Sequence, residues 1–348
     1  MRFALVAASL LMLGTVHAMD AIQHADRLMQ EYQGDVPGAA LLVLKDGKPL
    51  LRKGYGLADL ETHTPVTPQT NFRLASISKQ FTAAAILLLA EDGKLTLDDS
   101  IRHWLPSLPA STAKVTLREL LDHTGGLIDY EDLIPPAQTA QLNDQDVLRM
   151  LSATSKSYFA PGSAYRYSNT GYVLLGLVVE KASGKTLQGF LKQRIFTPLH
   201  MDRTLLYVHD DTTVPHRAYG YSQIDGHWQR TDQSLTSATR GDGGIYSNID
   251  DLAKWDGALY DDRLLSDASR QAAFSPHAKV VGEPYEASYG YGWRITGDTL
   301  WHSGESIGFR NVIVRWPKQH LTVILLSNRN EPEPYRTVLK IAQPFLQK

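Results

Sequence analysis

From Ser76 to Glu91 the chain runs without glycine or proline and is apolar on nearly every side, with Ala83-Ala84-Ala85 and Leu87-Leu88-Leu89 at its centre. A helix that is apolar all round offers no face to water and must be enclosed by protein. Its longest apolar run, Ala83 to Ala90, is too short to cross a bilayer, which takes about 20 such residues. The run stops at Asp92-Gly93, a C-terminal glycine signal. The rest of the chain must therefore wrap around a central helix.

Strand signals lie toward both ends. Residues 40–52 carry two apolar runs flanking Asp46-Gly47, which predicts a hairpin, with Gly54 and Gly56 closing its second strand. Phe309–Trp316 and Leu321–Ser327 are apolar and β-branched and are joined by Pro317-Lys318-Gln319-His320, which predicts an antiparallel pair. Between these ends the period is helical. A short helix is expected near Leu117–His123, broken by Gly125-Gly126, and another over Val173–Ala182, ending at Gly184. Residues 130–170, with Pro135-Pro136 and Pro161-Gly162, read as irregular. The expected fold is α/β plus all-α: an antiparallel sheet built from both termini and flanked by helices, with an inserted helical lobe. We place the α/β lobe at about 19–72 and 236–348, the helical lobe at about 73–235, and an active site between them. A chain of 348 residues exceeds what one core usually holds.

Residues 1–18 read as a secretory leader. Arg2 is a minimal positive region, Phe3 to Val16 is apolar, and Val16-His17-Ala18 offers small residues at the two positions a signal peptidase reads. Cleavage after Ala18 would leave residues 19–348 exported, periplasmic or secreted. No cysteine occurs, so thiol catalysis and zinc–thiolate or iron–sulfur sites are ruled out, and lipid attachment is not expected. The 12 histidines are scattered, no H-E-x-x-H or P-loop occurs, and no dinucleotide fingerprint follows a strand. We expect no metal and no cofactor. The 35 basic and 37 acidic side chains nearly cancel, without a like-charge block, which argues against a nucleic-acid partner.

Three short motifs carry chemistry, and each has a decoy. Ser76-Ile77-Ser78-Lys79 places a lysine one helical turn from a serine, where its amine can activate a hydroxyl that is otherwise a poor nucleophile. Ser111-Thr112-Ala113-Lys114 has the same spacing but sits in a Pro/Ser-rich stretch and reads as a solvated loop. Tyr167-Ser168-Asn169 is matched by Tyr246-Ser247-Asn248; in the second, Ser247 with Asp250 resembles a capping box. His302-Ser303-Gly304 lies on a strand opened by Thr299-Leu300-Trp301. Gly304-Glu305-Ser306-Ile307-Gly308 fits a nucleophile elbow, but that motif needs a following helix, and a strand pattern follows here. Arg240-Gly241-Asp242 matches a cell-adhesion tripeptide and is given little weight.

In this order the motifs resemble the penicillin-recognising serine hydrolases, a superfamily of class C β-lactamases, D,D-carboxypeptidases, D-aminopeptidases and esterases. The resemblance extends over Phe72–Lys79, Leu120–Leu127, Pro161-Gly162 ahead of Tyr167, and Gly243-Gly244-Ile245-Tyr246-Ser247 leading into Asp251-Leu252. It implies that Ser76 attacks a carbonyl, that Lys79 and Tyr167 share proton transfers, and that Asn169 orients Lys79 or the substrate amide. It also implies an oxyanion hole from the backbone N–H groups of Ser76 and Glu305. It assigns Tyr246 to a structural glycine-rich element. His302 stands where many members have lysine, so a fixed charge for a substrate carboxylate is weakened at neutral pH. Glu305 and Arg310 occupy places where small residues are expected; Glu305 would discourage acidic substrates and Arg310 could bind one.

The function expected is an acyl-serine amidase or peptidase acting on small-molecule or peptide substrates, including D-amino-acid peptides and peptidoglycan fragments. An esterase of the same fold is the alternative. A non-catalytic sensor of β-lactams or peptidoglycan fragments is a third reading, opposed by the intact Ser76, Lys79 and Tyr167. β-Lactamase activity is expected to be weak.

Overall fold

A computed structural model describes residues 19–209, 211–282 and 285–346. The expected leader, residues 1–18, lies outside the described residues. Two strands near the N-terminus, β1 (Ala39–Lys45) and β2 (Lys48–Tyr55), join six near the C-terminus: β3 (Ala278–Lys279), β4 (Ser288–Tyr289), β5 (Arg294–Thr296), β6 (Thr299–Ser306), β7 (Phe309–Trp316) and β8 (Leu321–Ser327). They form one antiparallel sheet in the order β3-β4-β5-β6-β7-β8-β1-β2. The β1–β8 pairing, from Ala39 opposite Ser327 to Lys45 opposite Leu321, stitches the two ends of the chain together. Asp46 (φ 53°) and Gly47 (φ 71°) make the turn between β1 and β2, in the left-handed conformations that a two-residue hairpin requires.

The central strands are apolar on both faces because both faces are covered. Ala40, Leu42, Leu44, Ile313, Ile324 and Leu326 enter the main core, while Ala39, Leu41, Val43, Val312, Val314, Val323 and Leu325 enter a second one. The alternation follows the two-residue period of a strand. The second core is closed by Val338, Ile341 and Ala342 of the C-terminal helix Pro334–Leu346 and by Ala25 and Met29 at the N-terminal end.

Against the other face lies helix α1 (Ser78–Glu91), with every residue from Ser78 to Leu89 buried. Helix α2 (Asn169–Ser183) packs beside it. Phe81 meets Trp255 at a ring separation of 4.3 Å, and Trp255 Nε1 donates to Gln80 Oε1 at 3.0 Å. Among the described residues no helix is long and apolar enough to cross a membrane.

Three local expectations are corrected. The serine motif does not lie wholly on an α-helix: Ala75–Ile77 is a 3-10 turn leading into α1. Residues 130–170 contain the helix Asp144–Ser152, capped reciprocally by Asn143 and Asp146; this Asn-x-x-Asp box was readable in the sequence. The cap of helix Ile249–Ala258 is Asn248, accepting from the Asp251 N–H, whereas Ser247 hydrogen-bonds Thr204 at 2.7 Å.

Gly304 fixes how closely the sheet approaches the serine turn. A Cβ on it would lie 2.0 Å from the Leu74 carbonyl oxygen. Gly304→Ala is therefore expected to destabilise the protein by about 1–3 kcal/mol through overpacking. At Gly297, where nothing lies within 4 Å and only φ (55°) is unfavourable, the same change should cost no more than the roughly 1–2 kcal/mol of a left-handed alanine. Denaturant unfolding of both variants measures the difference; equal small losses would show that β6 and the Leu74 turn separate freely.

Candidate active site

Ser76 sits half-buried in the turn before α1, and Ala75 ahead of it adopts φ 49°. A left-handed alanine costs roughly 1–2 kcal/mol, so strain is held beside the candidate nucleophile. One turn on, Lys79 is fully buried. Its Nζ lies 3.0 Å from Ser76 Oγ, 2.7 Å from Asn169 Oδ1 and 3.0 Å from the Asp242 carbonyl oxygen. The two carbonyl-type oxygens only accept, so they hold two N–H bonds. The Ser76 hydroxyl can accept or donate. When Lys79 gives up its third proton, the freed lone pair faces Ser76 Oγ.

Burial pushes Lys79 down to about 8; the carboxylates of Asp242, Asp129 and Glu131 oppose this, and the Arg294 guanidinium adds to it. The amine is thus balanced between its forms near the pH at which a general base is useful.

Asn169 opens α2, and its position is fixed from three sides. Asp129 Oδ2 accepts its backbone N–H at 2.7 Å, and Glu131 Oε1 accepts from its Nδ2 at 2.9 Å. A carboxylate only accepts, so Asn169 Oδ1 must be the atom turned to Lys79. The Tyr167 ring centre lies 4.9 Å from Lys79 Nζ and 4.4 Å from the His123 ring. The Arg294 guanidinium lies 5.4 Å from the Tyr167 ring centre. The structure therefore brings Ser76, Lys79, Asn169 and Tyr167 together. Tyr246 is elsewhere: it pairs with Phe72–Arg73 and Leu205–Leu206 in a small sheet, and its hydroxyl accepts from Arg217 at 3.2 Å.

His302, on β6, is buried beneath this group. Its Nδ1 is 2.6 Å from the Ser303 carbonyl and so carries the proton; Nε2 then accepts from Tyr289 OH at 2.9 Å. Burial, followed by the Arg294 charge, holds its pKa well below the usual histidine value. His302 is thus a neutral hydrogen-bonding group, not the partly charged one its unperturbed pKa implied.

Glu305 is exposed and lies 3.5 Å from Arg310, whose Nη1 also donates to the Ser306 and Phe309 carbonyls. Arg310 is occupied with its own turn. Ser306 faces Phe309 across a two-residue loop, so the next pair, Glu305 opposite Arg310, is a non-hydrogen-bonded one. The Glu305 N–H therefore points away from β7, to the edge of β6 that β5 leaves uncovered beyond Trp301. The elbow-like Ser306 is followed by strand β7 and has no helix.

The family model for beta-lactamase matches residues 22–345. The chain belongs to the beta-lactamase family. Penicillin-binding protein 4* of Bacillus subtilis (strain 168) is 35% identical over 326 residues, covering 88% of this chain and 71% of that protein. Protein flp of Staphylococcus aureus (strain N315) is 27% identical over 322 residues, and the chain spans only 64% of its length. Among solved structures, the octameric penicillin-binding protein homologue from Pyrococcus abyssi superposes with a TM-score of 0.82 at 27% identity, covering 94% of this chain and 76% of that one. The D-amino acid amidase from Ochrobactrum anthropi SV3 superposes with a TM-score of 0.78 at 26% identity, covering 94% and 96%. This member of the beta-lactamase family is a serine hydrolase.

Several residues around the site were not anticipated from the sequence: Asp129, Glu131, His123, Asp242, Tyr289 and Arg294. The run Tyr289-Gly290-Tyr291-Gly292-Trp293 was the available signal for the last element, since a Cβ on Gly292 would lie 2.9 Å from the Lys79 carbonyl oxygen. The tripeptide Arg240-Gly241-Asp242 forms the back of the site. Arg240 pairs with Asp144, the Gly241 carbonyl accepts from Thr82, and the Asp242 carbonyl accepts from Lys79. Among the described residues no group of three or more histidines and carboxylates is arranged to hold a metal.

The neutral tautomer of His302 is open to measurement. Its ring nitrogens should show no titration between pH roughly 5.5 and 8, where an ordinary histidine changes charge. Nitrogen-15 shifts of histidine-labelled protein, assigned with His302→Gln, report this directly. A midpoint near 6.5 would show that the site is wet enough to charge it.

Proposed function

We propose that this beta-lactamase family member is an exported acyl-serine amidase or peptidase acting on D-amino-acid amides and peptides. The observation that carries the reading is the desolvated Lys79 amine 3.0 Å from Ser76 Oγ. Ser76 passes its proton to neutral Lys79 as its oxygen attacks the substrate carbonyl. The oxyanion forms toward the N–H groups of Ser76 and Glu305. Tyr167, beside Lys79, relays the proton to the leaving amine, and water then hydrolyses the acyl-serine by the reverse route.

The substrate class draws on the likeness to the D-amino acid amidase and on the character of the cleft. His302 is neutral and Glu305 is an exposed carboxylate, so β6 offers a substrate carboxylate no positive charge. This disfavours β-lactams and D,D-peptides relative to uncharged amides. The same observation favours a second reading, an esterase, because neutral esters lose nothing at such a site. Export rests on the leader-like residues 1–18. The assembled Ser76–Lys79 pair weighs against a silent sensor.

Ser76→Ala should abolish fluorophosphonate labelling and hydrolysis of D-phenylalanine amide while the fold persists. The working form of Lys79 is the free amine, and below its pKa it is the ammonium. kcat/KM should therefore rise with pH, with a limb near about 8. Lys79→Ala and Tyr167→Phe should each slow acylation by roughly 10²–10⁴. Together they should cost much less than the product, because they serve one relay. Persistent labelling in Ser76→Ala, or a flat pH profile in wild type, would sink the assignment.

A further inference from the structure

We propose that Glu131 is the positioning residue of this site: it sets the orientation of the Asn169 amide and, through its charge, the protonation of Lys79. The proposal rests on the Ser76–Lys79 reading above.

Three hydrogen bonds run in series from the surface to the nucleophile. Glu131 Oε1 accepts from Asn169 Nδ2 at 2.9 Å, Asn169 Oδ1 accepts from Lys79 Nζ at 2.7 Å, and Lys79 Nζ lies 3.0 Å from Ser76 Oγ. The order of donors is forced. An amide free to turn over would present its NH2 group to Lys79, where it cannot accept a proton from an ammonium. Glu131 forbids that, because it offers no donor to the amide oxygen. Glu131 is itself set by its neighbour: Asp129 Oδ1 accepts the Glu131 N–H at 3.2 Å, while Asp129 Oδ2 holds the Asn169 N–H at 2.7 Å. One short turn, Tyr130–Leu133 with its cap Asp129, thus holds both ends of Asn169.

The electrostatic role has the same geometry. Lys79 is faced by Asp242, by Asp129 and Glu131, by Arg294 from β5, by the buried histidines His123 and His302, and by the rings of Tyr167 and Tyr172. Glu131 is faced by Asp129, Asp242 and Lys79. A negative charge at Glu131 favours the ammonium. Removing it lowers the Lys79 pKa, so the free amine appears at lower pH.

Charge and orientation separate by substitution. Glu131→Gln loses the charge and keeps an acceptor for Asn169 Nδ2, but its own NH2 group no longer forbids the turned-over amide, so some loss of plateau is expected beside the shift. The rising limb of kcat/KM for D-phenylalanine amide should then move down by about half a unit or more, with the plateau falling less than tenfold. Glu131→Ala loses both, so its limb should move equally and its plateau should fall by roughly tenfold to a hundredfold. Glu131→Asp keeps the charge on a shorter arm, so its limb should stay near the wild-type position while its plateau falls. Circular dichroism and fluorophosphonate labelling at Ser76 confirm that each variant is folded. A limb that stays in place in both Gln and Ala, or a plateau equally reduced in both, overturns the proposal. Labelling that persists in Ser76→Ala fails the underlying site reading instead.

Discussion

Burying the amine of Lys79 is the constraint on which the rest of this structure depends. An ammonium removed from water is costly unless all its protons find acceptors. Here those acceptors come from Ser76, Asn169 and the Asp242 carbonyl, far apart in sequence. Helix α1, helix α2 and the segment ahead of Ile245–Ser247 must therefore meet at one point. Glycines make the approach possible. A Cβ on Gly241 would lie 2.2 Å from the Tyr172 carbonyl oxygen, and one on Gly304 would lie 2.0 Å from that of Leu74. The central helix supplies the framework: it is buried on every side, so it cannot shift without disturbing the sheet, α2 and Trp255 together.

Features with a local cause were legible in the sequence. The Asp46-Gly47 hairpin, the pair formed by β7 and β8, and the enclosed helix all follow from period and turn chemistry, and appear where expected. The structural place of Tyr246, whose strand pairs with Phe72–Arg73, came from the family resemblance and not from spacing. Features with a non-local cause were not legible. No periodicity announces that Asp129 and Glu131 will meet Asn169, because the contact spans about forty residues of loop and helix. The start of α2 was placed too late for a related reason. Tyr167-Ser168-Asn169 carries no side-chain cap of its own, and the Asn169 N–H is satisfied by the distant Asp129.

The electrostatics of the site also depend on context. His302 in isolation would titrate near 6.5, and the sequence offered no reason to move it. Two features set its state: the Ser303 carbonyl, which takes the Nδ1 proton, and Tyr289, which gives a proton to Nε2. Burial then makes a second proton unfavourable. Charges do act on Lys79, and Arg294 adds to the fall in its pKa. Asp129, Glu131 and Asp242 restrain the fall in its pKa that desolvation alone would produce. The protein thus reaches a usable base by opposing two large effects, not by leaving lysine in water.

That balance has a structural cost around Lys79. Ala75 is left-handed, Asp242 Oδ1 and His123 Nε2 are buried without hydrogen-bond partners among the described residues, and Lys79 itself is desolvated. Each such feature costs on the order of 1–3 kcal/mol. None is needed to build the sheet, and an apolar residue at position 79 would suit the core better than lysine does. Unpartnered buried polar atoms also occur elsewhere among the described residues, at Gln319 Oε1 and Arg329 Nε for example, so it is the buried amine of Lys79 3.0 Å from Ser76 Oγ, not the number of such features, that marks the site. That amine fits a site whose groups are held in reactive states by surroundings stable enough to tolerate the loss.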